Sequence, residues 1–254
     1  MLGLGASSTS IASANIYKEL SELENYADLD IHFDFSLLTG ANGDEVTAVT
    51  NLGAGGATYN IDSNVTTPLL DTTTLSRNSV LFNTSNDVLN MAAEYTTTGK
   101  AYTLFVVFQK DDTSKDVVIS ADGNDNYLKI QHNNIELKQG TDSAFSITTN
   151  NTSNVSVNYS FVNEVPTCIV VSRQAGGNIN VYADNGFKIA GKANAAAQAG
   201  ANFAVQEIGG TAESANDLLG NIGEIGLYDA NLTEAKCLVL ARELSTKWGI
   251  NRRL

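Results

Sequence analysis

Basic residues are scarce in this 254-residue chain, as are proline, cysteine, histidine and tryptophan. Lysine and arginine together number 15 against 28 acidic residues, which gives a formal net charge of −13. A nucleic-acid-binding protein needs a basic patch to neutralise phosphates, so the charge argues against that class. The sequence also lacks an apolar run of about 18 residues, which argues against a membrane-spanning helix.

The scarcity of nucleophilic residues limits the chemistry. No Gly-x-Ser-x-Gly motif is present, and neither His32 nor His132 has the sequence context of a catalytic triad. Cys168 and Cys237 lie in apolar stretches and are predicted to be buried free thiols, with a disulfide left open. The first residues have no basic segment and no apolar core of a secretory leader, so synthesis in a host cytoplasm is expected.

From residue 28 onward the sequence is typical of a β protein. Residues 28–37 alternate so regularly that they predict a strand with one buried and one solvated face. The buried face would carry Leu29, Ile31, Phe33, Phe35 and Leu37, and the solvated face Asp28, Asp30, His32, Asp34 and Ser36. Further strands are predicted at Val46–Asn51, Thr58–Ile61, Ser79–Phe82, Val88–Met91, Thr103–Gln109, Val117–Ser120, Tyr127–Gln131, Asn134–Lys138, Phe145–Thr149, Thr167–Arg173, Ile179–Ala183, Phe187–Ala190, Phe203–Ile208 and Ile222–Tyr228. The runs YTLFVVF and CIVVS are apolar on both faces and are predicted to be central strands, and Asn185-Gly186 predicts a hairpin turn.

A helix is predicted over residues 233–248, near the C-terminus. Thr233 is a suitable N-cap and Gly249 a suitable stop. The buried stripe of this helix would consist of Cys237, Leu240, Ala241, Leu244 and Trp248. Many short strands followed by one helix indicate an all-β fold, an antiparallel two-sheet sandwich.

Residues 1–27 differ in composition from the rest and are predicted to form an N-terminal arm in front of a domain spanning 28–254. Small residues dominate positions 1–14, and residues 15–27 predict a short amphipathic helix. Such a helix is too short to be stable alone, so it must dock on its own domain or on another chain. Its candidate assembly contacts are Ile16, Tyr17, Leu20 and Leu23.

Several segments carry a resemblance to a known family. HFDF (32–35), SVLFNTSNDVLNM (79–91), YTLFVVFQ (102–109), NINVYADNGFKIA (178–190), FAVQEIGG (203–210) and GNIGEIGLYDANLTEAKCLVLARELSTKWGI (220–250) resemble a laminin-G-like jelly roll of the concanavalin A-like lectin/glucanase superfamily. The first residues, MLGLG, resemble the N-termini of virion structural proteins of marine tailed phages. The resemblance implies a jelly-roll sandwich over about residues 28–250, in a superfamily of lectins, glycosidases, adhesion modules and virion components, so the fold does not decide the function.

The resemblance also says what a catalytic member would need. The glucanases of the superfamily carry Glu-x-Asp-x-(x)-Glu on one strand, and this sequence has no such run, since Glu224 is alone on its predicted strand. We therefore predict that the chain is not an enzyme.

One loop is rich in oxygen ligands. Asp122, Asn124, Asp125 and Asn126 form a candidate calcium or glycan loop, although the same residue types build ordinary tight turns. Glycan binding also favours aromatic platforms, and the available tyrosines, Tyr127 among them, are mostly assigned to the core or to sheet faces. We predict no cofactor, with calcium at this loop as the alternative.

These observations predict a non-enzymatic virion structural protein of a tailed phage. Capsid decoration is favoured over a tail or fibre role, with the arm anchored to the major capsid protein or to neighbouring copies, and a homo-oligomer is left open. The protein would then reside in the virion. The alternative is a lectin-like adhesin that binds surface glycans with or without calcium, and the two roles can coexist.

Overall fold

A computed structural model describes residues 28–84, 86–114, 116–121, 125–140, 145–149, 159–192, 202–211 and 217–251. Fifteen strands in this part of the chain form two antiparallel sheets, which confirms the predicted all-β sandwich. The predicted arm, residues 1–27, lies outside the described residues.

Sheet A has eight strands, and its centre is formed by strands distant in sequence. Its members are β1 (Leu29–Asp34), β3 (Leu69–Asp71), β4 (Ser79–Phe82), β6 (Tyr102–Lys110), β11 (Thr167–Arg173), β12 (Ile179–Ala183), β13 (Phe187–Lys192) and β15 (Gly220–Tyr228). They follow the order β13-β12-β11-β6-β15-β4-β3, and β1 pairs with the half of β15 that β4 leaves unpaired. The predicted hairpin is confirmed as β12 and β13, with Gly186 at a φ of 84° in its turn.

Sheet B has seven strands in the order β10-β9-β8-β7-β14-β5-β2. Its members are β2 (Ile61–Val65), β5 (Val88–Thr96), β7 (Asp116–Ala121), β8 (Asn126–Gln131), β9 (Asn134–Lys138), β10 (Phe145–Thr148) and β14 (Ala204–Ile208). The inner faces of both sheets meet in one apolar core, which includes Phe33, Phe82, Phe108, Leu128 and Ile225.

Helix α1 (Glu234–Lys247) lies on the outer face of sheet A and encloses a second apolar cluster. The Thr233 hydroxyl accepts the Lys236 N–H at 3.4 Å, so the predicted N-cap is confirmed. Two side-chain contacts show how α1 is oriented on sheet A. Cys237, near the start of α1, lies against Ser172 near the end of β11, and Ser245, near the end of α1, lies against Cys168 near the start of β11. The helix therefore runs antiparallel to β11, and both thiols are free and buried, as predicted.

This helix explains the two strands that are apolar on both faces. Every residue of β6 and of β11 is buried, because one face of each strand meets sheet B and the other lies under or beside α1. The prediction that they are central is confirmed.

Two predicted strands are wrong. Residues 46–51 form no strand, because the segment crosses from one sheet to the other and makes only isolated bridges, Glu45 to Leu69 of β3 and Val49 to Ile61 of β2. The strand predicted at 58–61 is wrong because Gly56–Tyr59 is a 3-10 turn. This turn leads into β2, which begins at Ile61.

Candidate functional site

A buried charged cluster lies where the C-terminal end of α1 meets sheet A. The Lys247 ammonium donates to Glu224 Oε2 at 2.6 Å and to Asp34 Oδ2 at 2.7 Å. His32 Nε2 is 2.8 Å from Glu224 Oε1, and Trp248 Nε1 donates to Glu224 Oε2 at 2.8 Å. Because Asp34 and Glu224 are cross-strand partners of β1 and β15, one lysine ammonium can bridge two adjacent carboxylates.

The electrostatics of this cluster hold Glu224 in its charged form. Burial alone would raise the pKa of Glu224, but the His32 hydrogen bond and the Lys247 charge lower it well below its usual range. Burial alone would lower the pKa of Lys247, and the two carboxylates raise it instead. Glu224 is therefore an ionised structural group with no proton to donate.

The structure corrects the predicted solvated face of β1. His32 and Asp34 are buried, since the C-terminal end of α1 covers them, whereas Asp28, Asp30 and Ser36 keep partial exposure. A bulge between Leu29 and Ile31 also turns Leu29 away from the core and towards α1. Glu224 is the only acidic residue of β15, as expected, but β1 supplies a second carboxylate beside it.

The outer face of sheet B carries a continuous row of polar side chains, which we call the polar row. Each member is the register partner of the next on the neighbouring strand, from β2 through β5, β14, β7 and β8 to β9. The row consists of Ser63, Asn90, Glu207, Ser120, Tyr127 and Lys138. At the usual strand spacing it spans about 24 Å.

Hydrogen bonds hold the middle of the polar row in place. Ser120 Oγ lies 2.8 Å from Glu207 Oε2 and 2.7 Å from the Gly210 carbonyl oxygen. The Tyr127 hydroxyl donates to Glu136 Oε1 at 2.8 Å. Burial and this bond to Glu136 raise the pKa of Tyr127, so the phenol stays protonated. Sequence reasoning missed the row, although the alternation in NYLKIQ and NIELK marks the β8 and β9 part of it.

The predicted oxygen-rich loop is only partly described, because Asp122 and Asn124 lie outside the described residues. Asp125 forms an ion pair with Lys138 at 2.8 Å. Asn126 is 7% exposed, and its Oδ1 accepts the backbone N–H groups of Gly140 and Ala204 at 3.1 and 3.3 Å. Asn126 therefore braces the ends of three strands, and calcium at this loop stays a prediction.

The part of the chain that the structure describes contains neither a metal-binding group nor a membrane-spanning helix. No three His, Cys, Asp or Glu side chains converge there as metal ligands would. None of the helices found there is long and apolar enough to cross a membrane.

Comparison with solved structures identifies the architecture. The binding domain of Paraclostridial Mosquitocidal Protein 1 superposes with a TM-score of 0.60 at 11% identity, covering 88% of this chain and 55% of that one. Domain 4 of AbnA, a GH43 extracellular arabinanase from Geobacillus stearothermophilus in complex with arabinotriose, gives 0.55 at 15% identity, covering 84% of this chain and 98% of the domain. The fold is a jelly-roll sandwich.

A third jelly-roll neighbour is the ligand binding domain of botulinum neurotoxin serotype D in complex with N-acetylneuraminic acid. Its TM-score is 0.55 at 11% identity, with 85% of this chain and 51% of that one covered. The chain thus spans about half the length of the two toxin chains it matches. No protein-family model and no curated protein matches the sequence. At these identities the similarity establishes the jelly roll and leaves the function to be argued from the residues.

Proposed function

We propose that this chain is a non-enzymatic, lectin-like binding module whose ligand is a glycan. The observation that carries the proposal is the difference between the two sheets. Helix α1 covers the outer face of sheet A, whereas the outer face of sheet B carries the polar row with half-buried Asn90 and Glu207. Amide, carboxylate and hydroxyl groups at strand spacing offer both donors and acceptors to sugar hydroxyls.

The buried cluster supports the non-enzymatic part of the proposal. Glycoside hydrolysis needs two carboxylates that flank the scissile bond, one of them protonated. Glu224 and Asp34 are adjacent, but both side chains are 0% exposed and both bind Lys247. They stabilise the docking of α1 and have no access to a substrate.

Two of the three structural neighbours described above were solved with a carbohydrate ligand. The arabinanase domain was solved with arabinotriose and the toxin domain with N-acetylneuraminic acid.

A polysaccharide array followed by titration calorimetry tests the proposal. We expect the chain to bind at least one polysaccharide, and the double variant Asn90→Ala/Glu207→Gln to weaken that binding at least about tenfold, since two hydrogen-bonding groups are lost. Glu234→Gln, which removes the same charge from the exposed start of α1, is the matched control and should bind as the parent does. Absence of binding to the whole array would refute the proposal, and turnover of a bound polysaccharide would refute its non-enzymatic part.

We propose as a second candidate that the jelly roll decorates the capsid of a tailed phage, held there by residues 1–27. The support is the sequence alone, namely the MLGLG start and the apolar spacing of Ile16, Leu20 and Leu23 with Tyr17 beside them. Deletion of residues 1–27 should abolish incorporation into particles while the circular dichroism of the jelly roll is unchanged. Incorporation of the deletion variant at the parent level would overturn the anchoring by residues 1–27, and absence of the parent from particles would overturn the capsid role. Either outcome leaves the glycan proposal standing.

A further inference from the structure

Tyr127 is an aromatic residue on an outward-facing position, yet it is only 6% exposed. Its strand neighbours Leu128 and Ile130 point into the core, whereas Tyr127 lies in the polar row between Ser120 and Lys138. The side chain that lies over its ring is Lys129, whose Nζ is 4.1 Å from the ring centroid.

Lys129 is a cover that can be displaced. It is half-buried, and its ammonium sits on a flexible four-carbon stem whose end can swing into water. A cation–π contact near a surface changes an equilibrium constant by only about two- to fivefold. The Tyr127 ring, in contrast, is fixed, because its hydroxyl donates to Glu136 at 2.8 Å. Moving Lys129 therefore frees the part of the ring face that its ammonium contacts.

The charges around Tyr127 cancel locally, although the chain as a whole carries −13. Lys129 stands opposite Glu136 in the β8–β9 register, and Lys138 forms an ion pair with Asp125. Among the residues that the structure describes, two cations and two anions lie beside the ring, so its immediate surroundings favour neither an anionic nor a cationic ligand. A rigid ring flanked by polar groups suits a pyranose, whose C–H groups meet the negative face of an aromatic ring while its hydroxyls reach the neighbouring side chains.

We propose that Tyr127 is the stacking platform for an uncharged polysaccharide that lies along the polar row, and that Lys129 is a displaceable cover over it. The inference rests on the proposed glycan-binding function and assigns it a ligand class and a residue that opposes binding. The polysaccharide displaces Lys129 from the ring, stacks one sugar on Tyr127, and places its neighbours over Glu207 and Asn90, two half-buried members of the polar row.

Removing the cover and removing the platform should have opposite effects. Lys129→Ala should tighten binding of a neutral polysaccharide about two- to fivefold, because the ligand no longer has to break the cation–π contact between Lys129 and the ring. Tyr127→Phe keeps the ring and should retain binding to within a few-fold, whereas Tyr127→Ala should weaken it more than about tenfold. Lys188→Ala removes the same charge and a lysine–tyrosine ring contact, with Tyr182, on the opposite sheet. It is the matched control, and its affinity should equal that of the parent.

The measurement is calorimetric affinity for the best neutral polysaccharide on the array, with thermal melts to confirm that each variant is folded. Weaker binding by Lys129→Ala, or a preference of the parent for anionic over neutral polysaccharides, would overturn the inference, because the lysine would then be a direct ligand. Parent-level binding by folded Tyr127→Ala would also overturn it while leaving the proposed function intact. If neither the parent nor Lys129→Ala binds any polysaccharide, both fail together.

Discussion

Replacing Lys247 by methionine should be one of the most destabilising single changes in this protein. The side chain keeps a similar volume but loses the ammonium that joins Asp34 and Glu224. Both carboxylates would remain buried, side by side on paired strands, without their shared cation.

The expected magnitude follows from the burial of this ion pair. Breaking a buried pair by removing one partner costs about 3–5 kcal/mol, because the other charge stays uncompensated. For a chain of this size each kcal/mol lowers the melting temperature by about 2–4 °C, so a drop of about 6–20 °C is expected. The loss should shrink at acidic pH. The lowered pKa of Glu224 stabilises the parent above the unfolded pKa of this group and that stabilisation disappears as the pH falls, whereas the variant lacks the Lys247 charge that helps to lower the pKa.

Urea unfolding provides the assay, because Trp248 is the sole tryptophan and lies in the affected region. Lys188→Met is the control, since it breaks an ion pair with Glu234 whose side chains are 30% and 57% exposed. An exposed pair contributes about 0–1 kcal/mol. Equal, small losses in the two variants would refute the view that this cluster fixes the helix to the sheet.

Three further predictions concern other buried groups. Burial alone would raise the pKa of Asp71, but hydrogen bonds from neighbouring threonines and an asparagine outweigh it and lower the pKa to about 2. Stability should therefore fall as the pH drops from about 4 towards 2, and Asp71→Asn should flatten that part of the urea-midpoint profile; an unchanged slope would contradict this. In Gly223→Ala the added Cβ would lie 2.6 Å from the Trp248 ring, so the free energy of unfolding should fall by about 1–3 kcal/mol in a urea titration. An unchanged urea midpoint would contradict this prediction. Burial raises the thiol pKa of Cys168 and of Cys237, so an aromatic disulfide reagent should label neither thiol until urea unfolds the chain; rapid native labelling would disprove it.

Local patterns were sufficient to predict most of the fold. The alternation in β1, the doubly apolar β6 and β11 and the capped helix α1 were all visible in short windows of sequence, because each depends on neighbours within a few residues. Residues 46–51 misled the prediction, since a segment that crosses between sheets buries Val46 and Val49 just as a strand would.

The two sites were harder to predict because their members are far apart in sequence. The local pattern places His32 and Asp34 on a solvated face. The residues near them give no sign of their partner, because Lys247 lies 213 residues after Asp34 in the sequence. The polar row crosses six strands, among them β2, β5 and β14, which are distant in sequence. The register of one strand on another cannot be predicted from the sequence of either strand alone. Tyr127 was among the tyrosines available as an aromatic platform but was assigned with most of them to the core or a sheet face, and its contact with Lys129 depends on a rotamer.

The position of β15 has a consequence for synthesis on the ribosome. This strand pairs with β6 along one edge and with β4 and β1 along the other, yet it begins about 190 residues after β1. A nascent chain that has not yet released residues 220–228 therefore has strand edges of β1, β4 and β6 with nothing to pair with, and these edges can join those of another nascent chain. Sheet A is complete only when β15, a central strand that is synthesised late, has paired with its neighbours. A stop codon or a frameshift before residue 220 should therefore yield an aggregating fragment and no smaller folded domain.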